Sequence, residues 1–230
     1  MEVSRWVFAK AFVITILLLL IIYSVNVFLN SKREIAVSAD MDEAVETMEE
    51  MQALTQLMNM FGENATCMTL KSQLRVLDKQ TWKLGDKIES YRQLSQEYMS
   101  DPYYLQQKRK FNRQEVLYLS LLEQIRDKCD LNQSIILYFY RNGRICTQCD
   151  QQSFVLTHIN QKMDEEVAVF SFDSDLDLPS VNVLTSNYNI TEYPSMVIEG
   201  ETYPGLRDSP EVERILCEKT PYLSICKSKP

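Results

Sequence analysis

The apolar positions of this chain fall into three regimes. From Ala11 to Leu29 they are continuous, 19 residues without a charge, enough to cross a hydrocarbon core about 30 Å thick. Trp6 and Tyr23 are placed for headgroup level. From 41 to 129 the apolar residues recur at helical spacing. Beyond Ile135 short continuous runs alternate with amphipathic stretches, as strands and helices do in an α/β domain.

The helical regime predicts three helices. The first carries Ala44, Met48, Met51, Leu54 and Met58 on one face, with Gly62 as its stop. The second has a seam at alternating spacings of three and four: Cys67, Leu70, Leu74, Leu77, Thr81, Leu84, Ile88, Tyr91, Ser95 and Tyr98. That is a heptad with polar breaks, the pattern of a coiled coil or a long hairpin helix. Ser100-Asp101-Pro102 interrupts it, because proline removes a helical hydrogen bond and clashes with the preceding turn. The third helix carries Phe111, Tyr118, Leu122, Ile125 and Cys129, with Glu115 at a polar break. If the last two fold back at Asp101-Pro102, their arms differ by 5 residues, about 7 Å at 1.5 Å per residue. Cys67 and Cys129 then meet at the base, and a disulfide between them is expected. The alternative is two buried thiols.

After Asn132 the expected strands are Ile135–Tyr140, Val167–Phe172, Ser195–Ile198 and a short edge strand at Thr202–Pro204. The first is apolar throughout, which suits a central strand covered on both faces. Between the first two lie Cys146-Thr147-Gln148-Cys149 and a helix expected to bury Phe154, Val155, Ile159 and Met163. A helix with Val181, Leu184 and Tyr188 precedes the third strand. The last helix is expected to start with Ser209 as N-cap and Pro210 as its first residue.

Composition narrows the function. The net charge of −8 argues against nucleic acid as a partner. Seven acidic and no basic groups lie in residues 40–65. The basic run Lys108-Arg109-Lys110 reads as a solvated helix face. A lone histidine, His158, excludes a two-histidine zinc site, and its position nine residues past Cys149 turns it away from the motif. Asp173, Asp175 and Asp177 lack the glycine and distal glutamate of a calcium loop. No metal and no cofactor is expected. Six cysteines sort into three pairs, Cys67–Cys129, Cys146–Cys149 and Cys217–Cys226, the last pinning the tail. Persistent disulfides belong outside the cytosol. That orients the chain as a single-pass membrane protein with a cytoplasmic N-terminus and an extracytoplasmic C-terminal domain. The sequons at Asn64, Asn132 and Asn189 fit this location. A cleaved signal peptide ending at Val37-Ser38-Ala39 is the competing reading. Lys32 and Arg33 inside it, and the length of the apolar run, speak against it.

The order strand, Cys-x-x-Cys, helix, strand, helix, Tyr193-Pro194, hairpin, helix resembles a thioredoxin-like domain over about residues 131–218. The acidic loop after the second strand, Tyr188-Asn189-Ile190 before the proline and Gly205 after the hairpin add to the resemblance. It implies that Cys146 attacks a substrate disulfide and that Cys149 resolves the mixed disulfide. It further implies that Tyr193 and a cis Pro194 pair with a substrate strand. Independently, a cysteine opening a helix faces unpaired N–H groups, which lowers its pKa below the free value of about 8.5. Arg144 adds to this effect and Asp150 opposes it. The sequence departs from the family in three ways. The dipeptide inside the motif is Thr-Gln, the strand before it carries no aspartate as internal proton acceptor, and Ile145 replaces the usual tryptophan. The family's first strand and helix are also missing, with the helical segment in their place.

The fold class expected is therefore an α/β thioredoxin-like domain preceded by a transmembrane helix and an all-α antiparallel helical hairpin. The segments are 1–35 as membrane anchor, 36–130 as helical stalk and 131–230 as thioredoxin-like domain with its tail. The function expected is a thiol-disulfide oxidoreductase acting on protein thiols and disulfides, anchored in membrane lipid. The alternative is a non-catalytic binding protein whose hairpin mediates assembly with copies of itself or a partner.

Overall fold

The structure is a computed structural model that describes residues 5–94, 98–142 and 145–227. Ser95 and Arg144, both singled out above, lie outside the described residues, as does the side chain of Asn64. The chain forms two compact units, residues 1–40 and 41–230. Helix α1 runs Arg5–Phe61. In the first unit it contains an 18-residue window of mean hydropathy 2.7 with none of it buried, long and apolar enough to cross a membrane.

The second unit holds the end of α1, α2 (Glu63–Leu94), α3 (Pro102–Cys129), β1 (Ser134–Tyr140), α4 (Thr147–Met163), β2 (Val167–Asp173), α5 (Pro179–Asn187), β3 (Ser195–Ile198), β4 (Glu201–Pro204) and α6 (Ser209–Lys219). Tyr98–Ser100 forms a short 3-10 turn ahead of the next helix, α3. The Asp101 carboxylate accepts the Tyr103 and Tyr104 N–H groups and caps α3. The start of α2 meets the end of α3 at the Cys67–Cys129 disulfide. The end of α2 meets the start of α3 where Tyr91 Oη donates to Asp101 at 2.6 Å.

The sheet order is β2-β1-β3-β4. β1 is parallel to β2 (Ile136 opposite Val169) and antiparallel to β3 (Leu137 opposite Val197). Alternation along β1 sends Ile136 and Tyr138 to a core with Leu156, Ile159, Val212 and Leu216 of α4 and α6. Ile135, Leu137 and Phe139 face the opposite core, which includes Leu70, Leu74, Leu122, Ile125 and Val181. The sequence reading divides the chain after residues 35 and 130. The compact units meet at 40/41, and the larger one carries its core across 130, because the apolar seams of α2 and α3 pack onto the sheet. In α4 the buried face is Gln152, Leu156, Ile159 and Met163. Phe154, expected inside, is 72% exposed. A buried glutamine among the apolar positions displaced the reading of this face. The N-cap of α6 is Asp208, whose side chain accepts the Glu211 N–H, so Ser209 is already helical.

β2 is an edge strand, and α3 closes its outer edge with side chains. Glu115 Oε1 accepts the Ser171 N–H at 2.8 Å. Asn112 Oδ1 accepts the Asp173 N–H at 2.9 Å, and its amide donates to the Ser171 carbonyl at 3.3 Å. Asn112 also donates to Glu115 Oε2 at 3.1 Å. Unpaired edge groups are a template for unwanted strand pairing, and here two side chains occupy them.

Candidate functional site

Cys146 and Cys149 form a disulfide where α4 begins. Both are buried, 7% and 2% exposed. The Cys146 N–H donates to the Asn142 carbonyl at 2.9 Å, which turns the chain from the end of β1 into the helix. Asn142 is held from two sides. Its N–H donates to Asp175 at 2.8 Å, and its side-chain oxygen accepts from Tyr98 Oη at 2.9 Å. Asp175 also pairs with Arg141 at 2.7 Å. The acidic loop after β2 thus fixes the approach to the motif. The Tyr138 hydroxyl, buried under α4, donates to the Cys149 carbonyl at 2.6 Å.

The peptide bond Tyr193–Pro194 is cis. Ser195 pairs with Phe139, so Pro194 lies level with the end of β1, from which the cysteine loop departs. The Arg141 guanidinium lies 5.6 Å from the Tyr193 ring centre. The Gly205 N–H donates to the Pro194 carbonyl at 2.8 Å, with Gly205 at φ +81°, a region open to glycine. One turn beyond Cys149, buried Gln152 accepts the Arg207 N–H at 2.7 Å, tying α4 to the segment after β4. The tail is joined to α6 by Cys217–Cys226. Cys67–Cys129 lies outside this group, among the helices. His158 is exposed.

Several roles that matter here leave no signal in the sequence pattern. Arg92 at the end of α2 binds Glu89 at 2.6 Å and reaches Asp150 at 3.4 Å, so the anion next to Cys149 has a cation beside it. Glu115 is 2% exposed. Burial pushes its carboxyl up to about 8, against the lowering effects of the Ser171 N–H, Lys108 and Asn112. Burial also raises Asp173, with Lys108 the main opposing influence. A cavity of about 360 Å³ opens beside Cys149, walled by α2, α3, α4 and the β1–β2 strands. Among the described residues no group of three or more His, Cys, Asp or Glu side chains is arranged to hold a metal ion.

Chemically, a short-loop disulfide at a helix start can open by attack of an external thiolate and close again. The helix end favours the thiolate that is released.

Neither a protein-family model nor a curated protein matches the chain. Among solved structures it is similar to a malarial protein (17% identity, 39% of this chain and 98% of the other, TM-score 0.33). It is also similar to thioredoxin-2, a component of the malaria parasite protein secretion machinery (15%, 38% and 84%, TM-score 0.33). A third is Deadhead, the germline-specific thioredoxin of Drosophila melanogaster (17%, 44% and 92%, TM-score 0.34). The strand order, the Cys-x-x-Cys opening α4 and the cis Tyr193–Pro194 ahead of β3 occur together in one sheet-centred unit: the C-terminal part of the chain has a thioredoxin-like fold.

Proposed function

We propose that the chain is a membrane-anchored thiol-disulfide oxidoreductase acting outside the cytosol through Cys146-Thr147-Gln148-Cys149. The observation that carries this reading is the closed Cys146–Cys149 pair at the start of α4, level with the cis Tyr193–Pro194 bond. A substrate thiolate attacks Cys146 Sγ, the Cys146–Cys149 bond breaks, and Cys149 leaves as a thiolate. A second substrate thiolate then attacks the mixed disulfide and releases Cys146. Two substrate thiols become one disulfide, and the cysteine pair takes up the two electrons. The reverse sequence reduces a substrate. Tyr193 and Pro194 hold the substrate strand against the motif. The apolar part of α1 anchors the chain in lipid, and three disulfides suit an extracytoplasmic domain.

The competing reading makes the helical hairpin an assembly surface with an inert bridge beside it. It loses support because Leu70, Leu74, Leu77 and Ile125 of the hairpin seam are buried within the chain's own core. The test equilibrates the full chain, in detergent, in graded thiol/disulfide buffers and quantifies alkylation of each cysteine by peptide mass. Cys146 and Cys149 are expected to titrate together within about −120 to −270 mV, with the other four cysteines locked. A pair that resists reduction as firmly as the other four, or that never closes, refutes the reading.

A further inference from the structure

The cavity beside Cys149 is an addition made by the helical segment, and its walls have a chemistry of their own. On α2, Asp78, Trp82 and Asp86 recur every fourth residue and all line it, so they form one stripe along that helix. Trp82 is therefore flanked along the helix by two acidic residues. Phe111 lies against the helix at Gly85, where a Cβ would stand 3.3 Å from the ring. Tyr98, the exposed Phe154, Cys149 and Asp150 line the same cavity.

Charge leans one way. Six acidic and three basic side chains line the space, and burial raises the carboxyls of two of the acids, Glu115 and Asp173. The cations are engaged already. Arg92 binds Glu89 and Asp150, Arg141 binds Asp175, and Lys108 Nζ lies 5.2 Å from the Tyr140 ring centre. An anion entering would have to compete with those carboxylates. Glu89 and Asp150 are held by Arg92 and Asp78 accepts from the Tyr118 hydroxyl, so a cation gains chiefly exposed Asp86 and the neighbouring Trp82 ring, an attraction of about 0.5–2 kcal/mol for a ring. The volume of about 360 Å³ stands at the lower end of small-molecule pockets. It admits one long side chain or a small organic cation, not a helix.

The geometry points to this cavity as a receptor for a guanidinium or ammonium group on an apolar stem, supplied by a basic side chain beside the reacting cysteine of a polypeptide substrate. The link to a substrate cysteine rests on the oxidoreductase reading; the cation site does not.

The test uses the full chain in detergent, carrying Trp6→Phe so that Trp82 is the sole indole. Acetyl-arginine amide is titrated against Trp82 fluorescence, with acetyl-citrulline amide as its neutral isostere. In parallel, two cysteine peptides differing only in arginine or citrulline next to the thiol are oxidised by the Cys146–Cys149 disulfide, with dithiothreitol as the neutral reference. The arginine peptide is expected to react about ten-fold faster than the citrulline peptide. Asp86→Asn, at an exposed position, is expected to shrink that ratio several-fold, each peptide rate being taken relative to the same variant's dithiothreitol rate. A saturable Trp82 response to acetyl-arginine amide with equal peptide rates supports the cation site and assigns it to a free organic cation. Equal peptide rates with no Trp82 response overturn the inference. If dithiothreitol exchange is intact in that case, the oxidoreductase reading stands. If dithiothreitol fails to open the pair, that reading falls, and the Trp82 titration alone decides the cavity.

Discussion

Glu115→Gln is expected to make the protein more stable, and increasingly so as the pH rises. In the folded chain burial holds the Glu115 carboxyl at about 8, against 4.5 when solvated. A carboxyl whose folded value is raised binds a proton more tightly in the native state than in the unfolded one. Its penalty is absent below pH 4.5, grows as the pH climbs through that value, and levels off above 8. At 1.36 kcal/mol per tenfold change in proton affinity, the cost is below about 1 kcal/mol at pH 5. It reaches about 3 kcal/mol at pH 7 and about 5 kcal/mol at pH 9. Glutamine keeps an oxygen for the Ser171 N–H. It turns an amide toward Asn112 Nδ2, which now donates to Oε2, and losing that hydrogen bond costs about 1 kcal/mol at every pH. Wild type and variant should therefore be nearly equal at pH 5, with the variant ahead by about 2 kcal/mol at pH 7 and more at pH 9. Urea unfolding followed by far-ultraviolet circular dichroism at the three pH values reads this directly. A variant whose stability falls with pH as steeply as wild type would refute the reasoning, because another group would then carry the slope.

Three further outcomes follow from the same structure. Replacing Cys67 and Cys129 together by serine opens a closure of 62 residues and should cost about 4 kcal/mol on a chain-entropy basis; a urea midpoint within error of wild type would contradict this. Arg92→Gln leaves Asp150 without its cation next to the motif. It should slow iodoacetamide alkylation of Cys146 in the reduced protein, because an uncompensated carboxylate nearby disfavours the thiolate; an unchanged alkylation rate would contradict this. Tyr138→Phe removes the buried donor to the Cys149 carbonyl and should cost about 1–3 kcal/mol; thermal unfolding unchanged from wild type would show that the bond contributes nothing.

The elements were legible where local pattern decides them. Ile135–Tyr140, apolar throughout, is the central strand, flanked by β2 and β3. Asp101-Pro102 interrupts the helices where it should. What escaped the sequence reading depends on partners far along the chain. Glu115 looked like a mere break in a seam; its partner Ser171 is 56 residues away and is engaged through a backbone N–H that any residue would offer. Arg92 and Asp150 stand 58 residues apart, and Asp175 read as one of three acids in a loop rather than the residue that holds Asn142. Gln152 is buried on the face of α4 where an apolar residue was sought, because it accepts a distant N–H from Arg207. The cavity left no trace in the pattern at all, since its walls come from separate helices and strands.

The closure of the β2 edge by Asn112 and Glu115 has a consequence for how this domain can be transplanted. A sheet completed by its own strands is a portable cassette that can be grafted behind any partner. This one is finished by two side chains borrowed from upstream, so a fusion that starts at residue 131 carries an unfinished border and invites pairing with other chains. Any functional graft of the Cys146–Cys149 motif must bring α3 with it, and shuffling in evolution would meet the same constraint.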